Sequence, residues 1–183
     1  MKKVVLLGDS IRLWGYGTKV PEMLGEDYTV YQPEDNCRFT KYTLRGMFDW
    51  QDGIKGADII HWNNGLWDAT ELFGDGTFTT EEEYISDCTR IARILKKITP
   101  NLIFATTTPV WDEFEYTHND KITRFNEIIV PVLEAEGVVI NDLYSAVASD
   151  IHKYIKECDK IHLSDEGTDL CAGLVVEKIK SFE

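Results

Sequence analysis

Lys3-Val4-Val5-Leu6-Leu7-Gly8-Asp9-Ser10 is the stretch that decides the fold class of this chain. The apolar run is long enough for a buried strand and breaks at once into a turn. In open α/β sheets, reactive groups gather at the carboxyl ends of the strands, which is where Ser10 falls. Gly8 permits close backbone approach at that corner. The bland reading of the same residues is a turn in which Ser10 caps the following helix.

Downstream, short β-like runs alternate with longer helical ones, the pattern of a parallel sheet covered by helices on both faces. Strands are expected at 3–7, 28–32, 58–62, 102–106 and 138–141. A first helix within 10–24 is broken by Gly15, Gly17 and Pro21, and another is expected over 39–48. Thr79-Thr80-Glu81-Glu82-Glu83 offers two overlapping capping boxes, Thr79 with Glu82 and Thr80 with Glu83. The helix it opens carries Tyr84, Cys88, Ile91, Ile94, Leu95 and Ile98 on one face and stops at Pro100. A helix over 119–136 should kink or split at Pro131 and end at Gly137. Helical stretches near 143–148 and 150–158 precede a last helix, capped by Ser164 and running to about Phe182. The expected architecture is one three-layer α/β/α domain over 1–183, flavodoxin-like, with about five parallel strands.

Composition narrows the function. The 183 residues include 19 basic and 32 acidic side chains, a net charge of −13. Such a surface repels phosphate backbones and anionic headgroups, so nucleic acid and membrane are not expected partners. No apolar stretch approaches the ~20 residues of a membrane span. Met1-Lys2-Lys3 opens a run too short for a signal peptide, so the expected location is cytoplasmic. Cys37, Cys88, Cys158 and Cys171 have no metal-site spacing, and no metal or cofactor is expected.

Near the other end of the chain stands Asp159-Lys160-Ile161-His162, followed by Leu163-Ser164-Asp165-Glu166-Gly167. A hydroxyl, an imidazole and a carboxylate are what nucleophilic acyl transfer requires. Serine is a weak nucleophile without a base, and the base needs a third group to fix its tautomer. The three-residue spacing lets Asp159 hold one ring nitrogen of His162 while the other faces Ser10. His61-Trp62-Asn63-Asn64-Gly65-Leu66-Trp67-Asp68 closes the third strand, and an Asn amide there can donate to a developing oxyanion. The Ser10 N–H supplies a second donor. Asp35-Asn36-Cys37-Arg38-Phe39-Thr40, after the second strand, offers a third N–H. Cys37 itself reads as a small semi-buried thiol. Arg38 is either a solvated charge or a contact to a substrate carboxylate.

Together these blocks resemble the SGNH/GDSL hydrolases. Gly8-Asp9-Ser10 matches the first block and Asp159-x-x-His162 with Leu163-Ser164-Asp165-Glu166-Gly167 matches the last, in the order Ser, Asp, His. No G-x-S-x-G elbow is present, which argues against the ordinary α/β-hydrolase fold. The resemblance implies a flavodoxin-like sandwich and metal-free ester hydrolysis, often of O-acetyl groups on carbohydrates. Two blocks depart from the pattern. Cys37 stands nearest the second-block glycine, and Gly65-Leu66-Trp67-Asp68 replaces Gly-x-Asn-Asp, so that Asn64 or Asn63 must serve from upstream, Asn64 being the first choice.

The expected activity is that of a serine esterase acting on small acyl esters, acetyl above all, on a carbohydrate. Ser10 is the nucleophile, His162 the base and Asp159 its orienter. Trp62, Trp67 and Trp111 are expected at the rim, where they suit sugar faces. Lipid or thioester hydrolysis is the alternative within the fold, disfavoured by the absence of an amphipathic or long apolar lid segment. A second alternative is a non-catalytic binding module with Gly8-Asp9-Ser10 as an anion-binding loop. It has no use for the Asp-x-x-His pair. Whether the loops 66–78 and 111–118 form a lid stays open.

Overall fold

In the computed structural model, which describes residues 1–182, five strands form one all-parallel sheet. They are β1 (Lys2–Leu7), β2 (Tyr28–Tyr31), β3 (Ile59–Trp62), β4 (Leu102–Ala105) and β5 (Val139–Asn141). The order across the sheet is β2-β1-β3-β4-β5. From β1 the chain steps outward to β2 and then back past β1 to β3, so the winding reverses between β1 and β3. Open α/β sheets bind ligands at that reversal, beyond the carboxyl ends of the strands.

Alternation along β1 shows why both faces are covered. Val4 and Leu6 join one apolar cluster, Val5 and Leu7 the other, and all four are fully buried. The Val4 face is packed by α1 (Ser10–Leu13), α2 (Val20–Leu24), α7 (Leu143–Ala148) and α9 (Asp165–Lys180). The Val5 face is packed by α3 (Thr40–Asp49), α4 (Gln51–Ile54), α5 (Glu81–Leu95) and most of α6 (Asn119–Ala135). α8 (Ile151–Tyr154) leads toward α9. The fold is the expected three-layer α/β/α sandwich.

Several boundaries differ from expectation, each for a local reason. Of the two possible capping boxes only Thr80 with Glu83 forms, because the Thr79 hydroxyl donates instead to Asp68. The α5 helix ends at Leu95 rather than running on to Pro100, and Ile98 lies in the turn beyond it. The α6 helix runs unbroken through Pro131, which sits on its exposed side, where the carbonyl it leaves unpaired meets solvent. The helix expected over 150–158 stops at Tyr154. Residues 155–163 form a closed loop instead, pinned by an antiparallel bridge between Ile155 and Leu163 and by Lys156 N–H donating to the His162 carbonyl at 2.8 Å.

Candidate active site

The turn after β1 leaves the Ser10 side chain free. Asp9, not Ser10, caps α1, its Oδ1 accepting the Ile11 N–H at 2.9 Å. Ser10 is the first helical residue, and among the described residues its hydroxyl and its N–H make no hydrogen bond. The corner has no space for a larger residue at position 8, where a Cβ would overlap Asn63 Oδ1 and Arg12 Cβ. Burial pushes the Asp9 carboxyl up, and the neighbouring Asn63 amide, the Ile11 N–H and the Arg12 charge offset part of this.

Asp159 and His162 meet within the 155–163 loop. His162 Nδ1 and Asp159 Oδ2 are 3.0 Å apart, and the other oxygen, Oδ1, accepts the backbone N–H groups of Ile161 and His162 at 3.1 and 3.0 Å. Lys160 takes a left-handed conformation, φ 63°, which turns the chain tightly enough for this. Burial pushes the Asp159 carboxyl up, but those two N–H groups and the His162 ring outweigh it and hold the carboxyl below its usual range. The Trp111 N–H donates to the Lys160 carbonyl at 3.0 Å, anchoring the loop to the segment beyond β4.

Ser10 and His162 share one cavity of about 370 Å³, so the fold brings the two ends of the chain to a common wall. The Ser10 hydroxyl does not bond His162 directly here. Such contacts tighten when substrate is bound.

The second-block residues are committed elsewhere. The Cys37 N–H, expected as an oxyanion donor, donates to the Gly8 carbonyl at 3.1 Å, and the Cys37 sulfur accepts the Gly8 N–H at 3.2 Å. Burial pushes its thiol up to about 11, so it stays protonated. Cys37 therefore splices the two loops and offers no free donor.

The adjacent asparagines part company. Asn64 is fully buried, its Oδ1 accepting the Trp62 indole N–H and its Nδ2 donating to the Arg38 carbonyl, each at 2.8 Å. Asn63 packs over Gly8, its Oδ1 accepting from the Tyr16 hydroxyl at 2.7 Å. Its Nδ2 group faces the Asp9 carboxyl and helps hold it down against the effect of burial. The first choice, Asn64, is a structural strut, and Asn63 lies beside the Ser10 turn.

Of the three tryptophans expected at the rim, only Trp67 lines the cavity. Trp62 faces the core, its ring 4.7 Å from Phe104 and fully buried. Trp111 packs on the core and on His152 and donates its indole N–H to the Ile155 carbonyl. Arg38 points to solvent, with its guanidinium over the Tyr42 ring, and its neighbours Asn36 and Phe39 line the cavity instead. Trp14 was missed by the sequence reading. It stands one helical turn after Ser10 and meets the His162 ring edge-on at 5.1 Å, and the four-residue spacing was the available signal.

The two loops whose role was open both supply walls. Leu66, Trp67, Thr70, Leu72 and Phe78 come from one, and Phe114, Tyr116 and Thr117 from the other. They are tied together by the Glu71 N–H donating to the Tyr116 carbonyl at 2.7 Å and by the Thr70 and Thr117 hydroxyls at 3.0 Å. Beneath the first loop, Asp68 is fully buried, its Oδ1 accepting from the Thr40 N–H, the Thr40 hydroxyl and the Thr79 hydroxyl. Burial outweighs these donors and pushes its carboxyl up to about 6. His61 lies inside the sheet against Asn141, and burial drives its imidazole down to about 3, so it is neutral. Among the described residues no three His, Cys, Asp or Glu side chains gather as a metal-binding group.

No protein-family model matches the sequence, and no curated protein matches it. Solved structures do match the fold. A lipase/acylhydrolase from Enterococcus faecalis superposes with a TM-score of 0.81 at 20% identity, covering 99% of this chain and 96% of that one. A GDSL-like lipase from Bacteroides thetaiotaomicron gives 0.76 at 18% identity, over 100% and 89% of the two chains. An acetylxylan esterase from Geobacillus stearothermophilus gives 0.74 at 13% identity, over 97% and 94%.

Proposed function

We propose that this chain is a serine esterase of the SGNH/GDSL type, cleaving carboxylic esters through an acyl-enzyme. The observation that carries the reading is His162, held by Asp159, lining the same cavity as a Ser10 whose hydroxyl neither caps the helix nor makes another hydrogen bond. Neighbours of the same fold named as acylhydrolase, lipase and acetylxylan esterase support it.

In the first half-reaction the Ser10 Oγ forms a bond to the ester carbonyl carbon while its proton passes to His162 Nε2. Asp159 Oδ2 accepts the Nδ1–H, fixing the tautomer and stabilising the imidazolium. The tetrahedral oxyanion is met by the Ser10 N–H and by the Asn63 Nδ2 group, which turns from the Asp9 carboxyl toward it. As it collapses, the C–O bond to the alcohol breaks and His162 returns its proton to the leaving oxygen. Water then adds to the acyl-Ser10 carbonyl with His162 again as base, and the free acid departs, restoring Ser10.

The small-acyl, carbohydrate form of this reading draws on the names of two acetylxylan esterase neighbours and on Trp67. The other two tryptophans no longer contribute to it.

The test is hydrolysis of p-nitrophenyl esters by the wild type and Ser10→Ala. A fall to the level of uncatalysed hydrolysis in a variant with unchanged circular dichroism is expected. Turnover that survives the substitution refutes the mechanism, and a folded wild type inert to all esters favours the binding-module alternative.

A further inference from the structure

The cavity shared by Ser10 and His162 has a composition that speaks to its substrate. Its wall is built mostly from apolar and aromatic side chains, among them Trp14, Phe39, Trp67, Leu72, Phe78 and Phe114. Beyond Ser10 and His162, the polar groups present are the Asn36, Thr70 and Thr117 side chains, the Tyr116 hydroxyl and the indole N–H groups of Trp14 and Trp67. Two of these are already satisfied, because the Thr70 and Thr117 hydroxyls bond each other and the Thr70 hydroxyl donates to the Leu66 carbonyl at 2.9 Å. Asn36 Oδ1 accepts the Arg38 N–H at 2.7 Å, so only its amide N–H group is left for a ligand. Among the described residues no Lys, Arg, Asp or Glu contributes to the wall.

A sugar residue entering here would lose water from several hydroxyls and find fewer partners in return, which is unfavourable for each hydroxyl left unpaired. An anionic or cationic group would find no counter-charge. An apolar chain or ring loses nothing and gains burial. Size points the same way. A volume of 370 Å³ equals about a dozen water-sized volumes of ~30 Å³, far more than the few heavy atoms of an acetyl ester occupy.

The outer wall continues the theme. Trp14, Trp67, Leu72, Phe78 and Tyr116 line the cavity yet are exposed, and Phe73, at the tip of the same loop as Leu72, is 81% exposed. Half of the exposed large apolar side chains among the described residues of this acidic protein thus line one opening. Clustered exposure of this kind marks a surface with an apolar ligand.

We propose that the substrate is an ester carrying an apolar chain or aryl ring of about six to ten carbons, held in this cavity with its carbonyl at Ser10. The inference rests on the esterase reading and refines it. The apolar portion belongs to either the acyl group or the alcohol, and two series of compounds distinguish them.

In one series the acyl group of p-nitrophenyl esters lengthens from acetate to dodecanoate. In the other, acetates of straight-chain alcohols lengthen from ethyl to decyl. Each rate is corrected for hydroxide-catalysed hydrolysis, and each is measured for the wild type and Ser10→Ala. We expect kcat/KM in one series to rise about threefold to fourfold per methylene until the cavity is filled. We also expect Phe78→Ala to reduce the octanoate-to-acetate ratio about tenfold, or the decyl-to-ethyl ratio if the alcohol series is the one that climbs. Phe48→Ala, an exposed aromatic on α3, should leave the ratio unchanged. A Ser10-dependent activity that declines steadily from the shortest ester in both series overturns the apolar substrate while leaving the esterase reading in place. Turnover indifferent to Ser10→Ala, or none from folded protein in either series, overturns the esterase reading and the inference with it.

Discussion

Replacing Arg12 with methionine tests how the Ser10 turn is held. Arg12 lies on α1 two residues after Ser10 and is completely buried. Its guanidinium is held by carbonyls, donating to Pro33 at 2.8 Å, Asp35 at 2.7 Å and Gly8 at 3.0 Å. It thus clamps the 33–37 loop against the corner that carries Ser10. Methionine keeps much of the apolar stem and removes all three bonds. The Gly8 carbonyl still receives the Cys37 N–H, and the Asp35 carbonyl is half-buried and can turn to water. The Pro33 carbonyl is left buried and unpaired, at a cost of about 1–3 kcal/mol. The two other charge-assisted bonds are lost as well, largely offset because a guanidinium charge is no longer buried, so the total is about 2–4 kcal/mol. For a chain of this length that corresponds to a fall in Tm of about 5–15 °C. Esterase turnover should drop by at least about tenfold, since small displacements of a nucleophile are costly. Arg12→Lys should recover only part of either loss, because one ammonium cannot reach carbonyls on three sides. Urea unfolding followed by circular dichroism measures the stability. An Arg12→Met variant that unfolds within about 1 kcal/mol of the wild type would refute this account.

Three further outcomes follow from the site. Asn63→Ala should lower kcat about 10²–10³-fold, whereas Asn64→Ala should mainly reduce stability, by about 1–3 kcal/mol; the reverse pattern would show that the oxyanion donor is misassigned. Asp159→Asn should lower kcat by about 10⁴ by losing control of the His162 tautomer, and a loss under tenfold would remove Asp159 from the mechanism. The Asp68 carboxyl, pushed up to about 6 in the folded chain, favours protonation there, so its contribution to stability is complete below its unfolded value of about 3.9 and is lost as pH rises through 6. Between pH 4 and 7 the wild type should therefore lose about 2–3 kcal/mol relative to Asp68→Asn in urea titrations. Parallel pH profiles for the two proteins would contradict it. The depressed Asp159 carboxyl acts in the opposite sense, but only as pH falls below about 4, outside that window.

The sheet was legible because each strand is a local apolar run and both faces of a parallel sheet need the same filling. Ser10 and the Asp159–His162 pair were legible for a related reason. A strand-ending turn and a three-residue spacing are short-range features, and the two backbone N–H groups that hold Asp159 belong to its immediate successors. Where the reading went astray, the deciding contact was long-range. Cys37 was expected to present its N–H to substrate, and only its meeting with Gly8 shows that the group is taken. Thr79 was offered as a helix cap, and only burial of Asp68 beside it explains why its hydroxyl turns away.

The sequence by itself determined the three-layer parallel fold and singled out the serine and the Asp-x-x-His pair proposed for acyl transfer, since periodicity and close spacing are carried by neighbours along the chain. Tertiary structure alone decided which of two adjacent asparagines lies beside the Ser10 turn, which of three tryptophans reaches the cavity, and that two unrelated loops enclose an apolar space. Those outcomes depend on side-chain direction at turns and on partners far apart in sequence, and neither is encoded in any local pattern.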